Sequence, residues 1–158
     1  MIFYRAERFD PGVKLLNNRL RLSVNEALVK KKAYEALLVN KEGFITEGSR
    51  SNVFFVNAKG ILYTAPDSMV LSGITRKYII DICRMEGYDL IFEAAKASEL
   101  SDFQSAFITG TSPMVLPVKS IDNHLFRTDN DILKRLGILY RQLADDSINR
   151  YQRRKKED

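Results

Sequence analysis

Lys14, Glu47 and three glycine-containing turns are the residues of this chain whose types and spacing suit chemistry. Lys14 follows the Pro11-Gly12 turn and stands among Val13, Leu15 and Leu16. An amine shielded from water by such neighbours has a lowered proton affinity and becomes a nucleophile. Glu47 opens the polar run Glu47-Gly48-Ser49-Arg50-Ser51-Asn52, wedged between apolar stretches at 36–39, 44–45 and 53–56. A carboxylate in that position faces water or meets a positive group, because burial without a partner is costly. In Leu71-Ser72-Gly73-Ile74-Thr75-Arg76 a Gly-Ile-Thr step stands at a helix start, where free N–H groups and the helix dipole favour an anion. Thr109-Gly110-Thr111-Ser112 offers hydroxyls on a flexible backbone, also suited to phosphate oxygens. Taken singly, each feature also has an ordinary reading: a solvated lysine, a loop acid, a helix cap, a turn.

The elements that must position these residues follow from periodicity. Leu16, Leu20, Val24, Ala27 and Leu28 recur at helical spacing and predict a helix from Leu15 to about Lys32, with Arg19, Arg21 and Lys30 to Lys32 facing outward. Strands are predicted at about 35–40, 43–46, 52–56 and 61–64, with turns at Lys41-Glu42-Gly43 and Asn57-Ala58-Lys59-Gly60. A second helix runs from Gly73 to about Glu86, with Ile74, Tyr78, Ile79, Ile82 and Cys83 as its buried stripe and Gly87 ending it. Beyond it come a strand at 89–93, a short helix at 97–100 with Ser98 as a cap, strands at 105–109 and 114–118, and a hairpin at 121–126. A last helix is predicted from Asp129 to about Tyr151, capped by Asp129 or Asn130. Strands interspersed with helices predict a mixed α/β domain.

Composition narrows the function classes. A chain of 158 residues suits one domain with a sizeable core. Its net charge of +5 comes largely from the tail at 150–156, so the body lacks the basic face that nucleic acid requires, and none is expected as a partner. No apolar run approaches the roughly 20 residues that span a bilayer, and no membrane partner is expected. Cys83, the single cysteine, reads as a buried free thiol, which fits a reducing cytoplasm. His124 is the single histidine, in a turn, so a Cys/His zinc site is excluded and no metal is expected.

Four segments in order resemble the fold-type IV pyridoxal-phosphate enzymes: branched-chain and D-amino-acid aminotransferases and aminodeoxychorismate lyases. They are Val13-Lys14-Leu15-Leu16-Asn17, Ile45-Thr46-Glu47-Gly48-Ser49-Arg50-Ser51-Asn52-Val53-Phe54, Leu71-Ser72-Gly73-Ile74-Thr75-Arg76 and Phe107-Ile108-Thr109-Gly110-Thr111-Ser112. The resemblance implies the larger, cofactor-binding domain of that fold, a mixed sheet forming a partial barrel with flanking helices. It implies pyridoxal 5'-phosphate as cofactor, with Lys14 as the Schiff-base lysine that also shuttles the substrate α-proton. Glu47 resembles the acid paired with the pyridine nitrogen, which keeps the ring a good electron sink. Leu71 resembles the residue packed on the ring face. Gly73, Ile74 and Thr75 resemble the phosphate site, with Gly110, Thr111, Ser112 and the backbone of Arg50 and Thr109 completing the cradle. Residues 1–13 then form an N-terminal segment and 14–158 the cofactor-binding domain, without the family's small N-terminal domain. The implied activity is amino-group transfer between an amino acid, branched-chain in the first instance, and a 2-oxo acid. The alternatives are lyase-type β-elimination and a non-catalytic cofactor-binding fragment. A homodimer, or a partner supplying the small domain, is the expected assembly.

Overall fold

Strands that are apolar on both faces need cover on both sides, and among the described residues two larger sheets and three helices supply it. The computed structural model describes residues 1–6 and 18–157. Strands β1 (Ile2–Arg5), β2 (Ala36–Val39) and β3 (Ile45–Gly48) form one sheet in that order, with β1 parallel and β3 antiparallel to β2. The second sheet contains β4 (Asn52–Asn57), β5 (Leu62–Thr64), β6 (Leu90–Phe92), β7 (Phe103–Gly110) and β8 (Met114–Pro117). Its order is β6-β5-β4-β7-β8, parallel between β5 and β6 and antiparallel elsewhere. Strands β9 (Ser120–Ile121) and β10 (His124–Leu125) make a small hairpin.

The period-two alternation of strand side chains divides the interior into layers. In β2, Leu37 and Val39 meet Val53 and Phe55 of β4 and Ala106 and Ile108 of β7 in a core between the sheets. The alternate residues Ala36 and Leu38 pack on Val24 and Leu28 of helix α1 (Asn18–Lys31). Phe54 and Val56 of β4 and Phe107 of β7 face the other way, onto helices α2 (Ile74–Met85) and α3 (Asp131–Glu157). The layers are therefore helix, sheet, sheet, helices, which is the mixed α/β class expected. Phe54 and Phe107 stack at 4.9 Å between centroids and join the middle strands on the helical side.

Helix boundaries follow local chemistry. Asn130 caps α3, its Oδ1 accepting the Ile132 N–H at 2.9 Å. At the end of α2, Tyr88 N–H reaches Cys83 O at 2.9 Å and Gly87 N–H reaches Arg84 O at 3.3 Å, a Schellman closure with Gly87 at C′, as the sequence predicts.

Three expectations are corrected. Residues 2–5, read only as part of a short mixed segment, are an integral sheet strand. The short helix expected at 97–100 is a turn followed by a single 3₁₀ turn at Leu100–Asp102. Phe44 pairs with Lys96 and Ala97 N–H donates to Gly43 O at 2.9 Å, which ties the start of that turn to the loop before β3. The buried stripe of α2 contains Ile79, Ile82 and Cys83 as expected but not Ile74 or Tyr78. Ile74 and Tyr78 are 75% and 48% exposed, while Thr75, Arg76, Ile79, Ile80, Ile82 and Cys83 are buried. Arg76 turns inward because its guanidinium has partners there: Nη1 binds the Asp67 carboxylate and Nη2 donates to Ala65 O at 2.8 Å.

Candidate active site

The three turns singled out by the sequence meet at one end of the β4–β7 pair. Asn52 opens β4 and lies opposite Thr109 near the end of β7. The polar run at 48–51 leads into Asn52, and Gly110 and Thr111 follow Thr109. The third turn is drawn in by Asn52, whose Nδ2 donates to Leu71 O at 2.8 Å. The result is a cavity of about 520 Å³, bordered by all three turns and by Leu20, Arg21, Val24 and Asn25 of α1.

Glu47 does not sit in a turn: it is in β3, next to the last residue, and is only 2% exposed. Its Oε2 accepts the Leu71 N–H at 3.2 Å. The Asn52 and Glu47 bonds thus grip both polar groups of the Leu71 backbone and fix the loop ahead of α2. Gly73 directly precedes that helix, and a Cβ there would overlap Asn52 Oδ1. A Cβ on Gly48 would overlap Ser51 Oγ, and one on Gly110 would stand 3.1 Å from Pro113 Cγ. Side chains at these positions would fill space that the turns themselves need.

Of the site residues expected from the sequence, Glu47, Arg50, Leu71, Gly73, Ile74, Thr75, Gly110 and Thr111 border the cavity. Ser112 is not among the cavity residues. Lys14 lies outside the described residues. The Thr75 hydroxyl is paired with the Tyr140 hydroxyl of α3 at 3.1 Å, so Thr75 faces the cavity with its side chain already engaged. Thr109 Oγ1 is buried and has no hydrogen-bond partner among the described residues. The α1 face contributed by Arg21 and Asn25 was not foreseen: Arg21 reads as an outward helix position, and nothing in the sequence singles out Asn25. Glu35 was also not foreseen, and no local motif marks it.

The donor set fits a phosphorylated pyridine ring. A buried carboxylate at one point of the cavity suits a protonated ring nitrogen. A helix N-terminus preceded by glycine, and a second Gly-Thr turn beside an orphaned hydroxyl, suit a phosphate. Among the described residues no cluster of His, Cys, Asp or Glu could hold a metal ion, and no helix is long and apolar enough to cross a membrane. The Cys83 thiol lies far down in the α2 core, where burial pushes its pKa up to about 12. It is not a nucleophile at neutral pH.

Comparisons with known proteins agree with this geometry. The family model for amino-transferase class IV matches residues 2–121. A probable branched-chain-amino-acid aminotransferase of Rickettsia conorii is 38% identical over 149 residues, covering 89% of this chain and 51% of that protein. A D-alanine aminotransferase of Bacillus licheniformis is 34% identical over 111 residues, covering 70% of this chain and 38% of that protein. The chain thus spans about half the length, or less, of these relatives. Among solved structures, the PLP-form of the branched-chain amino acid aminotransferase from Thermobaculum terrenum superposes with a TM-score of 0.81 at 29% identity, over 90% of this chain and 49% of that one. A putative 4-amino-4-deoxychorismate lyase from Legionella pneumophila gives 0.81 at 25% identity, over 89% and 54%. On the matched family model and the shared fold, this chain belongs to the class IV amino-transferases.

Proposed function

We propose that residues 14–158 form the cofactor-binding unit of a pyridoxal-phosphate-dependent aminotransferase, which moves an amino group between an amino acid and a 2-oxo acid. The observation that carries this reading is the convergence of Glu47 and two glycine-threonine turns on one cavity. Bound there, pyridoxal phosphate supplies an electron sink for the substrate α-carbon.

This chain's residues would do the rest. Glu47, held by the Leu71 N–H, would keep a proton on the ring nitrogen. Gly73, Ile74 and Thr75 would meet the phosphate with the N-terminal amides of α2, where the helix dipole adds to the attraction. Gly110 and Thr111 would close the cradle from the β7 side, with Ser112 just outside it. Leu71, half-buried at the cavity wall, would pack on the ring. Lys14 Nζ would tether the cofactor and carry the α-proton. A homodimer, or a partner supplying a small domain, would complete the substrate side, in the cytoplasm. Branched-chain amino acids are the first substrates to test, since several relatives carry that name.

The likeness to the Legionella lyase, with a TM-score of 0.81, favours a second reading, release of pyruvate from aminodeoxychorismate. Two measurements separate the cases. Pyridoxal phosphate titrated into the purified chain should give a visible absorption band that Lys14→Ala abolishes. A wild-type chain without that band would refute the cofactor assignment. Assays with leucine and 2-oxoglutarate, and separately for pyruvate release, then distinguish transfer from elimination.

A further inference from the structure

The serines of the 49–51 turn both commit their protons to one buried carboxylate outside the cavity. Glu35 immediately precedes β2 and is 3% exposed. Ser49 Oγ donates to its Oε1 at 2.6 Å, and Ser51 Oγ donates to its Oε2 at 3.1 Å. The Ala36 N–H also donates to Oε1, at 2.9 Å. An ionised carboxylate only accepts, so the two hydroxyls serve it as donors and cannot give the same protons to a bound anion. Ser49 and Ser51 are therefore anchors of the turn.

The remaining bonds of the turn fasten it in the same sense. Gly48 N–H donates to Ser51 O at 2.7 Å, Ser49 N–H to Ala36 O at 2.9 Å, and Arg50 Nη2 to Tyr34 O at 3.3 Å. Arg50 is held between two residues tied to opposite oxygens of one carboxylate. Its carbonyl lies 3.6 Å from the point where a Cβ on Gly110 would stand, so the 49–51 turn abuts the Gly110-Thr111 turn. A buried carboxylate is costly unless hydrogen bonds compensate its desolvation, and here three donors reach its two oxygens. Glu35 itself does not border the cavity, while Ser49, Arg50 and Ser51 all do.

We propose that Glu35 is a positioning residue for the cavity: its carboxylate holds residues 49–51 as one wall, against the Gly110-Thr111 turn, and so sets how tightly the cavity holds pyridoxal phosphate. The affinity clause rests on the cofactor reading above; the clause about the wall does not.

Hydrogen exchange and cofactor titration on Glu35→Ala, Glu35→Gln and Ser51→Ala test this. Without cofactor, amides at 48–52 and 109–112 should exchange faster in Glu35→Ala, with 53–56 and 105–108 protected as in the wild type. The dissociation constant for pyridoxal phosphate should rise about tenfold in Glu35→Ala, as expected for losing hydrogen bonds to a charged group. Glu35→Gln, which still accepts one hydroxyl, should stay within about threefold. Exchange that rises uniformly along the chain, or not at all, would overturn the proposal, as would an unchanged constant in a variant with a loosened turn. If the wild type takes up no cofactor, that reading fails, and the exchange pattern alone upholds or overturns the role of Glu35. If Glu35→Ala does not fold, Ser51→Ala removes only the Oε2 bond and should loosen the same two segments; native exchange there would overturn the proposal.

Discussion

The two ends of the β4–β7 pair are built from the same kinds of residue and behave differently. At one end Asn57 closes its own turn: its Oδ1 accepts the N–H of Lys59 at 2.9 Å and of Ile61 at 3.0 Å, and its carbonyl takes Gln104 Nε2 at 3.1 Å. At the other end Asn52 reaches out of its strand to Leu71 O, and Thr109 Oγ1 is left without a partner among the described residues. Between them Val53, Phe54, Phe55 and Val56 are buried. A turn that satisfies its own polar groups has nothing left for a ligand. A cluster of turns that lend groups to one another around a cavity does.

That contrast can be broken or sharpened by mutation. The largest effect should come from Phe107→Ala, which removes the ring stacked on Phe54 and serves both ends. A loss of about 3–5 kcal/mol in urea unfolding is expected, along with cofactor uptake. Asn52→Ala and Asn57→Ala should each lose about 1–3 kcal/mol, through carbonyl or amide groups left unsatisfied. Only Asn52→Ala should weaken pyridoxal-phosphate binding; equal weakening by both would erase the distinction between the ends. Gly60→Ala should cost about 1 kcal/mol in thermal unfolding and leave the cofactor constant alone, because Gly60 has a φ of +80°.

The smallest effect concerns the helical layer. Arg135 donates to the Glu86 carboxylate at 2.7 and 3.1 Å and holds its pKa below the ordinary 4.5. A depressed folded value means the pair stabilises the fold above 4.5, and that this is lost as pH falls through the lower folded value. Glu86→Gln should therefore slightly lower the melting temperature at pH 7 and leave it unchanged at pH 2. Equal differences at both pH values would dismiss the ion pair as the cause.

Much of the fold was legible because apolar runs mark most of its strands and glycine turns punctuate them. The sequence also carried eight of the residues that border the cavity, because their segments stand in the order of a known family. What it did not carry was phase and long-range partnership. Ile74 and Tyr78 have the spacing of a core stripe yet lie exposed, while Arg76, whose partner Asp67 stands nine positions back, is buried. Glu35 is equally silent, since its partners stand 14 and 16 residues on and are ordinary turn serines. Arg21 and Asn25 gain their place only once α1 is laid across β2.

The parallel pairing of β1 with β2 sets a timetable. Ile2 lies opposite Ala36 and Arg5 opposite Val39, so β1 has no ladder until the chain has returned through α1. On a ribosome those residues emerge well before their partner and must wait. The connection they wait for contains Lys14. Any slowing of synthesis or of chain closure between β1 and β2 would therefore delay the sheet.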